Sequence, residues 1–218
     1  MIERFGLYLV MTDPVAGYER CAEAAVRARI RYLQLRMKRV SREQIETTGR
    51  AVRAITAGSE TRFILNDDAD LAARIGADGV HLGQTDEPLD AARARHPHLL
   101  FGLSTHDARQ AGAACARKPD YIGVGPVFAT PTKEIPDPTL GLDTLGAIIR
   151  RSSLTTVAIG GIHADNLADV LRAGAINFAV VRDVCASATP YDAIRRLQDV
   201  WERFTDPARR GSPQPADE

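Results

Sequence analysis

The sequence predicts a single-domain (β/α)8 barrel. Eight short apolar, β-branched runs recur along the chain, and amphipathic stretches with Ala, Leu and Arg at helical spacing separate them. A length of 218 residues with 44% hydrophobic content suits one large core and is short for two. Regular alternation implies a parallel sheet with helical crossovers, and eight repeats favour closure into a barrel over an open doubly wound sheet. The domain is expected to span 1–206. The remainder, PARRGSPQPADE at 207–218, is rich in Pro, charge and small residues and is expected to be a disordered tail.

In chain order, the first strand is expected in GLYLVMT near 6–12, followed by a helix over Tyr18 to Arg29. YLQLR at 32–36 forms the second strand, and its crossover is a helix over Arg42 to Ala57. The stretch FILNDDADLAARIGADGVHLGQTD, Phe63 to Asp86, reads as strand, short helix, strand, with strands at 62–67 and 79–83. Gly76 ends that helix, as glycine commonly does. LLFGLS at 99–104 precedes a helix over Thr105 to Ala116, and YIGVGP at 121–126 runs into a long Pro-containing loop before a helix over Leu142 to Arg151. The last units are TTVAIGG at 155–161 with a helix over Ala164 to Ala173, then INFAVV at 176–181 with a helix over Tyr191 to Phe204.

Composition excludes several functions. Lys+Arg and Asp+Glu balance at 28 each, so no overall basic field exists to hold nucleic acid or an anionic membrane. Cys21, Cys115 and Cys185 are far apart and form no CxxC spacing, which argues against a disulfide framework or zinc site and fits a cytoplasmic protein. The apolar run Leu7 to Met11 is too brief to cross a membrane.

A barrel of this kind places its chemistry at the C-terminal strand ends. Two neighbouring strands there run out into carboxylates, Asp67 beside Asn66 and then Asp86. Such a pair suits a hard cation such as Mg²⁺ that shares its remaining oxygens with substrate phosphates. Taken alone, the stretch fits equally well with Asp67 or Asp68, and Thr85 or Asp86, as helix N-caps. Gln34, Arg36 and Lys38 share one face of the second strand while Leu33 and Leu35 occupy the other, which would aim an amide and two cations into the barrel mouth. Lys38 also fits a solvated loop charge. Ser104 either bonds a ligand or caps the next helix, and His106 reads as a capping or surface residue. Thr130, Thr132 and Lys133 follow the sixth strand in a loop long enough to be a binding loop. After the seventh and eighth strands, Gly160-Gly161 and Val181-Arg182 lie where such barrels frequently bind phosphate. No GxSxG elbow occurs.

With YLVMTD, QLRMK, NDD…GVHLGQTD, GLSTH, GVGPVFATPTK and AIGGI in this order, the chain resembles the thiamine-phosphate synthase family from about Leu7 to Val181. The resemblance implies an enzyme that joins hydroxymethylpyrimidine diphosphate to a thiazole phosphate with Mg²⁺, through a pyrimidine carbocation captured by the thiazole nitrogen. It implies that Gln34, Arg36, Lys38, Asn66, Ser104 and Lys133 contact the pyrimidine diphosphate, with Arg36, Lys38 and Lys133 stabilising the leaving group. Asp67 and Asp86 are then the magnesium ligands, and Thr130, Thr132, Gly161 and Val181 face the thiazole phosphate. The family commonly carries serine after the valine of the eighth strand; this chain carries Arg182, itself a strong phosphate ligand that alternatively pairs with Asp183. A thiazole tautomerase needs no metal–diphosphate site, and a non-catalytic thiamine-precursor binding protein would be expected to have lost it. Retention of Asn66, Asp67, Asp86 and Lys133 argues against both.

Overall fold

Eight parallel strands close into a barrel in sequence order: β1 (Leu7–Met11), β2 (Tyr32–Leu35), β3 (Arg62–Asn66), β4 (Gly79–Leu82), β5 (Leu100–Thr105), β6 (Tyr121–Val124), β7 (Thr155–Ile159) and β8 (Asn177–Val180), which pairs back onto β1. The architecture is a (β/α)8 barrel, as expected. This computed structural model describes residues 2–130 and 138–206, so Thr132, Lys133 and the tail at 207–218 lie outside the described residues. Among the described residues no helix is long and apolar enough to cross a membrane.

The crossovers are α1 (Tyr18–Arg27), α2 (Arg42–Thr56), α3 (Ala69–Ile75), α4 (Leu89–Arg95), α5 (Ala108–Arg117), α6 (Gly141–Arg151) and α7 (Ala164–Arg172), and the helices α8 (Arg182–Cys185) and α9 (Pro190–Thr205) follow the last strand. Two of these had no counterpart in the sequence reading: α4, only seven residues with arginines at 93 and 95, and α8, a single turn. Local chemistry sets several boundaries. Ser41 and Gln44 form a capping box at the start of α2, and Gly76 closes α3 in the left-handed conformation at φ 71°. The fifth helix starts three residues later than expected, because Thr105 still pairs with Val124 in the sheet and Asp107 accepts the Gln110 N–H as its cap.

Strand alternation sorts the core into two shells. Leu9, Leu33, Leu35, Phe63, Val80 and Phe101 point outward against the helices, while Tyr8, Val10, Tyr32, Ile64, Tyr121, Val157 and Ala179 fill the barrel. At the N-terminal end of the strands the chain plugs its own barrel. Phe5 packs on Tyr32 with ring centroids 4.4 Å apart, and buried Asn177 accepts the N–H groups of Phe5 (2.7 Å) and Gly6 (3.1 Å) while donating to the carbonyls of Glu3 (2.9 Å) and Thr156 (3.3 Å). Truncating that amide strands the buried Gly6 N–H and Thr156 carbonyl, each costing about 1–3 kcal/mol, and two part-buried groups beside them. Asn177→Ala is therefore expected to lower unfolding stability by about 3 kcal/mol in urea titration while leaving ligand affinity at the far mouth intact; an unchanged midpoint would show that the plug contributes nothing.

Candidate functional site

The C-terminal ends of the strands surround a cavity of about 1010 Å³. Of the residues singled out in the sequence, Gln34, Arg36, Asn66, Ser104, Thr130, Gly161, Val181 and Arg182 all line it. Val157, Ile159 and Ala179 supply apolar wall between them.

In the sector formed by β2 to β4, the barrel interior receives Gln34 and Arg36, as the alternation with Leu33 and Leu35 requires. The Arg36 guanidinium makes no hydrogen bond or ion pair among the described residues, so an uncompensated cation faces the cavity. Lys38, about half exposed, is ion-paired with Asp67 rather than solvated alone. Asp67 is not a cap. It holds φ 69°, a left-handed conformation rare outside glycine, directly after β3, while its N–H donates to the His81 carbonyl at 2.8 Å. Capping of α3 falls to Asp68, which accepts the Leu71 N–H at 2.7 Å and pairs with Arg42. Asp86 does not cap α4 either, since Pro88 occupies that position; its Oδ2 accepts the Gly83 N–H at 2.6 Å.

Burial pushes the Asp86 carboxyl above its ordinary pKa, and the neighbouring Asp67 carboxylate adds to that push, while the Gly83 N–H and the Lys38 ammonium oppose it. Asn66 lines the cavity, whereas Lys38, Asp67 and Asp86 lie outside its lining; two neighbouring carboxyl groups at adjacent strand ends are nonetheless a fitting pair of ligands for a divalent cation. Among the described residues no group of three His, Cys, Asp or Glu side chains converges, so a cation here would draw its other oxygens from water and from an anionic ligand.

In the β7–β8 sector, Gly160 (φ 102°) and Gly161 (φ 66°) make the turn that brings β7 against the loop leaving β6. A Cβ on Gly161 would stand 2.7 Å from that of Phe128 and 2.8 Å from the Ala129 carbonyl, so glycine is needed there for packing as well as for backbone shape. The Asn166 side chain holds the Gly161 carbonyl at 2.8 Å. Arg182 opens α8 and lines the cavity. The pairing with Asp183 that the sequence left open does not occur. Asp183 accepts the Ala164 N–H at the start of α7 at 3.0 Å, and the Arg182 guanidinium has no hydrogen-bond or ion-pair partner among the described residues.

One expectation changes, and one alternative left open by the sequence closes. His106 is no surface cap: it lines the cavity, with Nδ1 2.7 Å from the Gly125 carbonyl, because Asp107 has taken the cap. Ser104 likewise caps nothing; its Oγ lies 2.9 Å from Nε2 of His81. His81, Tyr8 and Tyr121 line the same cavity and were not singled out in the sequence, although parity alone places His81 inward between outward Val80 and Leu82.

Known proteins resemble this one in sequence and in fold. The family model described as thiamine monophosphate synthase matches residues 7–184. Thiamine-phosphate synthase from Archaeoglobus fulgidus is 38% identical over 196 residues, covering 89% of this chain and 92% of its own, and that from Anaeromyxobacter dehalogenans is 40% identical over 200 residues, covering 90% and 88%. The solved thiamine phosphate pyrophosphorylase from Pyrococcus furiosus superposes with a TM-score of 0.83 at 30% identity, covering 92% of this chain and 97% of its own. The solved 3-hexulose-6-phosphate synthase, at 18% identity and a TM-score of 0.64, shares the fold alone.

Proposed function

The chain belongs to the thiamine monophosphate synthase family, and on that premise we propose that residues 1–206 form an enzyme joining hydroxymethylpyrimidine diphosphate to a thiazole phosphate, releasing thiamine phosphate and diphosphate. One observation carries this reading beyond the family. Among the described residues, one cavity is lined by two guanidinium groups without a partner, in separate sectors, and the strand ends of the Arg36 sector run on into the Asp67–Asp86 carboxylate pair. That asymmetry suits two anionic substrates, one a metal-bound diphosphate and the other a monophosphate.

Asp67 and Asp86 would hold Mg²⁺ at the Arg36 side, where the bound ion would neutralise charge growing on the diphosphate oxygens. Arg36 and Lys38 add fixed positive charge to the same leaving group, joined in this reading by Lys133. The carbon–oxygen bond of the pyrimidine methylene breaks with its electron pair going to diphosphate, and the thiazole nitrogen lone pair forms the new carbon–nitrogen bond. No protein nucleophile takes part. Gln34, Asn66 and Ser104 orient the pyrimidine, while Thr130, Thr132, Gly161, Val181 and Arg182 hold the thiazole phosphate. The apolar wall of Val157, Ile159 and Ala179 keeps water from intercepting the carbocation. A tautomerase would have no use for the carboxylate pair.

Incubating the purified protein with both substrates and Mg²⁺ should yield thiamine phosphate, with none when either substrate is omitted or EDTA is added. Failure with all components present would overturn the reading. The Arg182 assignment has its own test. Charge-assisted hydrogen bonds contribute about 1.5–3 kcal/mol, so Arg182→Ala should weaken thiazole-phosphate binding roughly ten- to a hundredfold while pyrimidine-diphosphate affinity barely moves. Equal weakening of both ligands, or of neither, would remove Arg182 from the phosphate site.

A further inference from the structure

Beneath the cavity a chain of hydrogen bonds crosses the barrel through side chains from five strands. Nε2 of Gln34 donates to the Tyr8 hydroxyl at 2.9 Å, the Tyr8 and Tyr121 hydroxyls are 2.8 Å apart, Tyr121 meets Nδ1 of His81 at 3.1 Å, and Nε2 of His81 meets Ser104 Oγ at 2.9 Å. The two ends of the chain are residues of the proposed pyrimidine site. The three in between have no part in the chemistry above.

Hydrogen balance gives the chain a direction. Tyr8 and Tyr121 are each 2% exposed, and burial holds both phenols protonated well above their ordinary range, so each oxygen keeps its one hydrogen. The Tyr8 oxygen already accepts from Gln34, and its own hydrogen has the Tyr121 oxygen as its acceptor. Tyr121 must then donate onward to Nδ1 of His81, which has to be bare. The imidazole proton therefore sits on Nε2 and is donated to Ser104 Oγ, leaving the serine hydrogen to turn into the cavity. Gln34, with its NH₂ committed to Tyr8, presents Oε1 to the cavity. The backbone makes room for this arrangement: a Cβ at Gly102 would stand 2.3 Å from the Tyr121 hydroxyl and 2.5 Å from Nδ1 of His81.

We propose that His81 is a positioning residue, fixed by the Tyr8–Tyr121 pair as the Nε2–H tautomer so that the site floor offers an acceptor at Gln34 and a donor at Ser104. A floor of that polarity selects an aminopyrimidine, whose exocyclic amine donates and whose ring nitrogens accept. It rejects the oxo analogue, which turns that donor into an acceptor and leaves two acceptors facing one another. Rotating the Gln34 amide by half a turn would reverse every bond in the chain, place the imidazole proton on Nδ1 and offer the amine a second donor. The two directions therefore predict opposite tautomers.

The ligand assignment rests on the proposed function; the tautomer does not, and the experiment separates them. Long-range nitrogen–proton NMR of the intact ligand-free protein, with His81→Gln identifying the resonance, should show a bare Nδ1 and a protonated Nε2. A proton on Nδ1 would overturn the proposal without touching the catalytic reading. Binding of the amino and oxo pyrimidine diphosphates is measured in parallel on wild type, Tyr121→Phe, Ser104→Ala and the double variant. Tyr121→Phe should mix the two tautomers, weaken the amino ligand about tenfold and leave thiazole-phosphate affinity unchanged. Made in the Ser104→Ala background it should cost clearly less than on its own, because part of its effect passes through the serine; fully additive losses, or no loss on its own, would overturn the positioning role. Wild-type protein that shows the expected tautomer yet binds neither pyrimidine would sink the substrate assignment instead.

Discussion

Asp67→Asn or Asp86→Asn is expected to cut turnover about a hundredfold and to flatten its dependence on Mg²⁺ concentration, with the fold intact. Removing one group that stabilises developing charge costs about 3 kcal/mol in the transition state. Neither carboxylate caps a helix; locally Asp86 accepts the Gly83 N–H and Asp67 pairs with Lys38, contacts within loops whose loss leaves the barrel standing. Asp68 caps α3 and Pro88 stands at the start of α4, so substitution at 67 or 86 breaks no helix cap. Asp67→Asn also releases Lys38 from its ion pair, and the pair is exposed enough that stability should change by less than about 1 kcal/mol. Steady-state rates across a Mg²⁺ titration, beside urea unfolding of each variant, are the measurements. Wild-type turnover and metal response in both would show that the carboxylates serve only the loop geometry.

Most of the frame was legible because a barrel repeats one simple pattern. Each apolar run became a strand within a residue or two, since burial on both faces of a parallel strand leaves a continuous apolar signature. The same parity that put Leu33 and Leu35 outward put Gln34 and Arg36 inward. Where the pattern thins, so did the reading: α4 has only Leu89 and Ala92 buried among its Asp and Arg residues, and α8 is too short for any periodicity.

The site was less legible wherever a contact depends on closure of the barrel. Tyr8 and Tyr121 lie 113 residues apart, and their hydroxyls meet only because β1 and β6 face one another across the interior. Nothing local to either tyrosine encodes that bond. Arg182 and Asp183 are adjacent in sequence yet do not pair, because strand order sets β8 beside β7 and gives the Asp183 carboxylate to the first turn of α7. For His81 a signal did exist in its inward parity within Gly-Val-His-Leu. A lone histidine in a strand is ordinarily explained by core packing, however, and only its hydrogen-bond partners show otherwise.

Arg36 should be as costly to lose as either carboxylate, and for a reason visible in what it does not touch. Its guanidinium lines the cavity with no acceptor among the described residues, so the folded chain gains nothing from the charge until an anion arrives. Arg36→Met keeps the aliphatic stem and removes the cation. We expect its urea midpoint to match or slightly exceed that of wild type, while turnover falls about a hundredfold, by about 3 kcal/mol, as the growing charge on the diphosphate loses a fixed counter-charge. Arg36→Lys should recover only part of that loss, since an ammonium restores the charge but not the planar fork that grips two phosphate oxygens at once. If the contact strengthens as the leaving group separates, the loss will appear mainly in kcat; if it serves the bound substrate equally, KM will carry it. Full activity in Arg36→Met would remove Arg36 from the diphosphate site. Lost stability together with lost activity would mean that the guanidinium has a structural task in the fold.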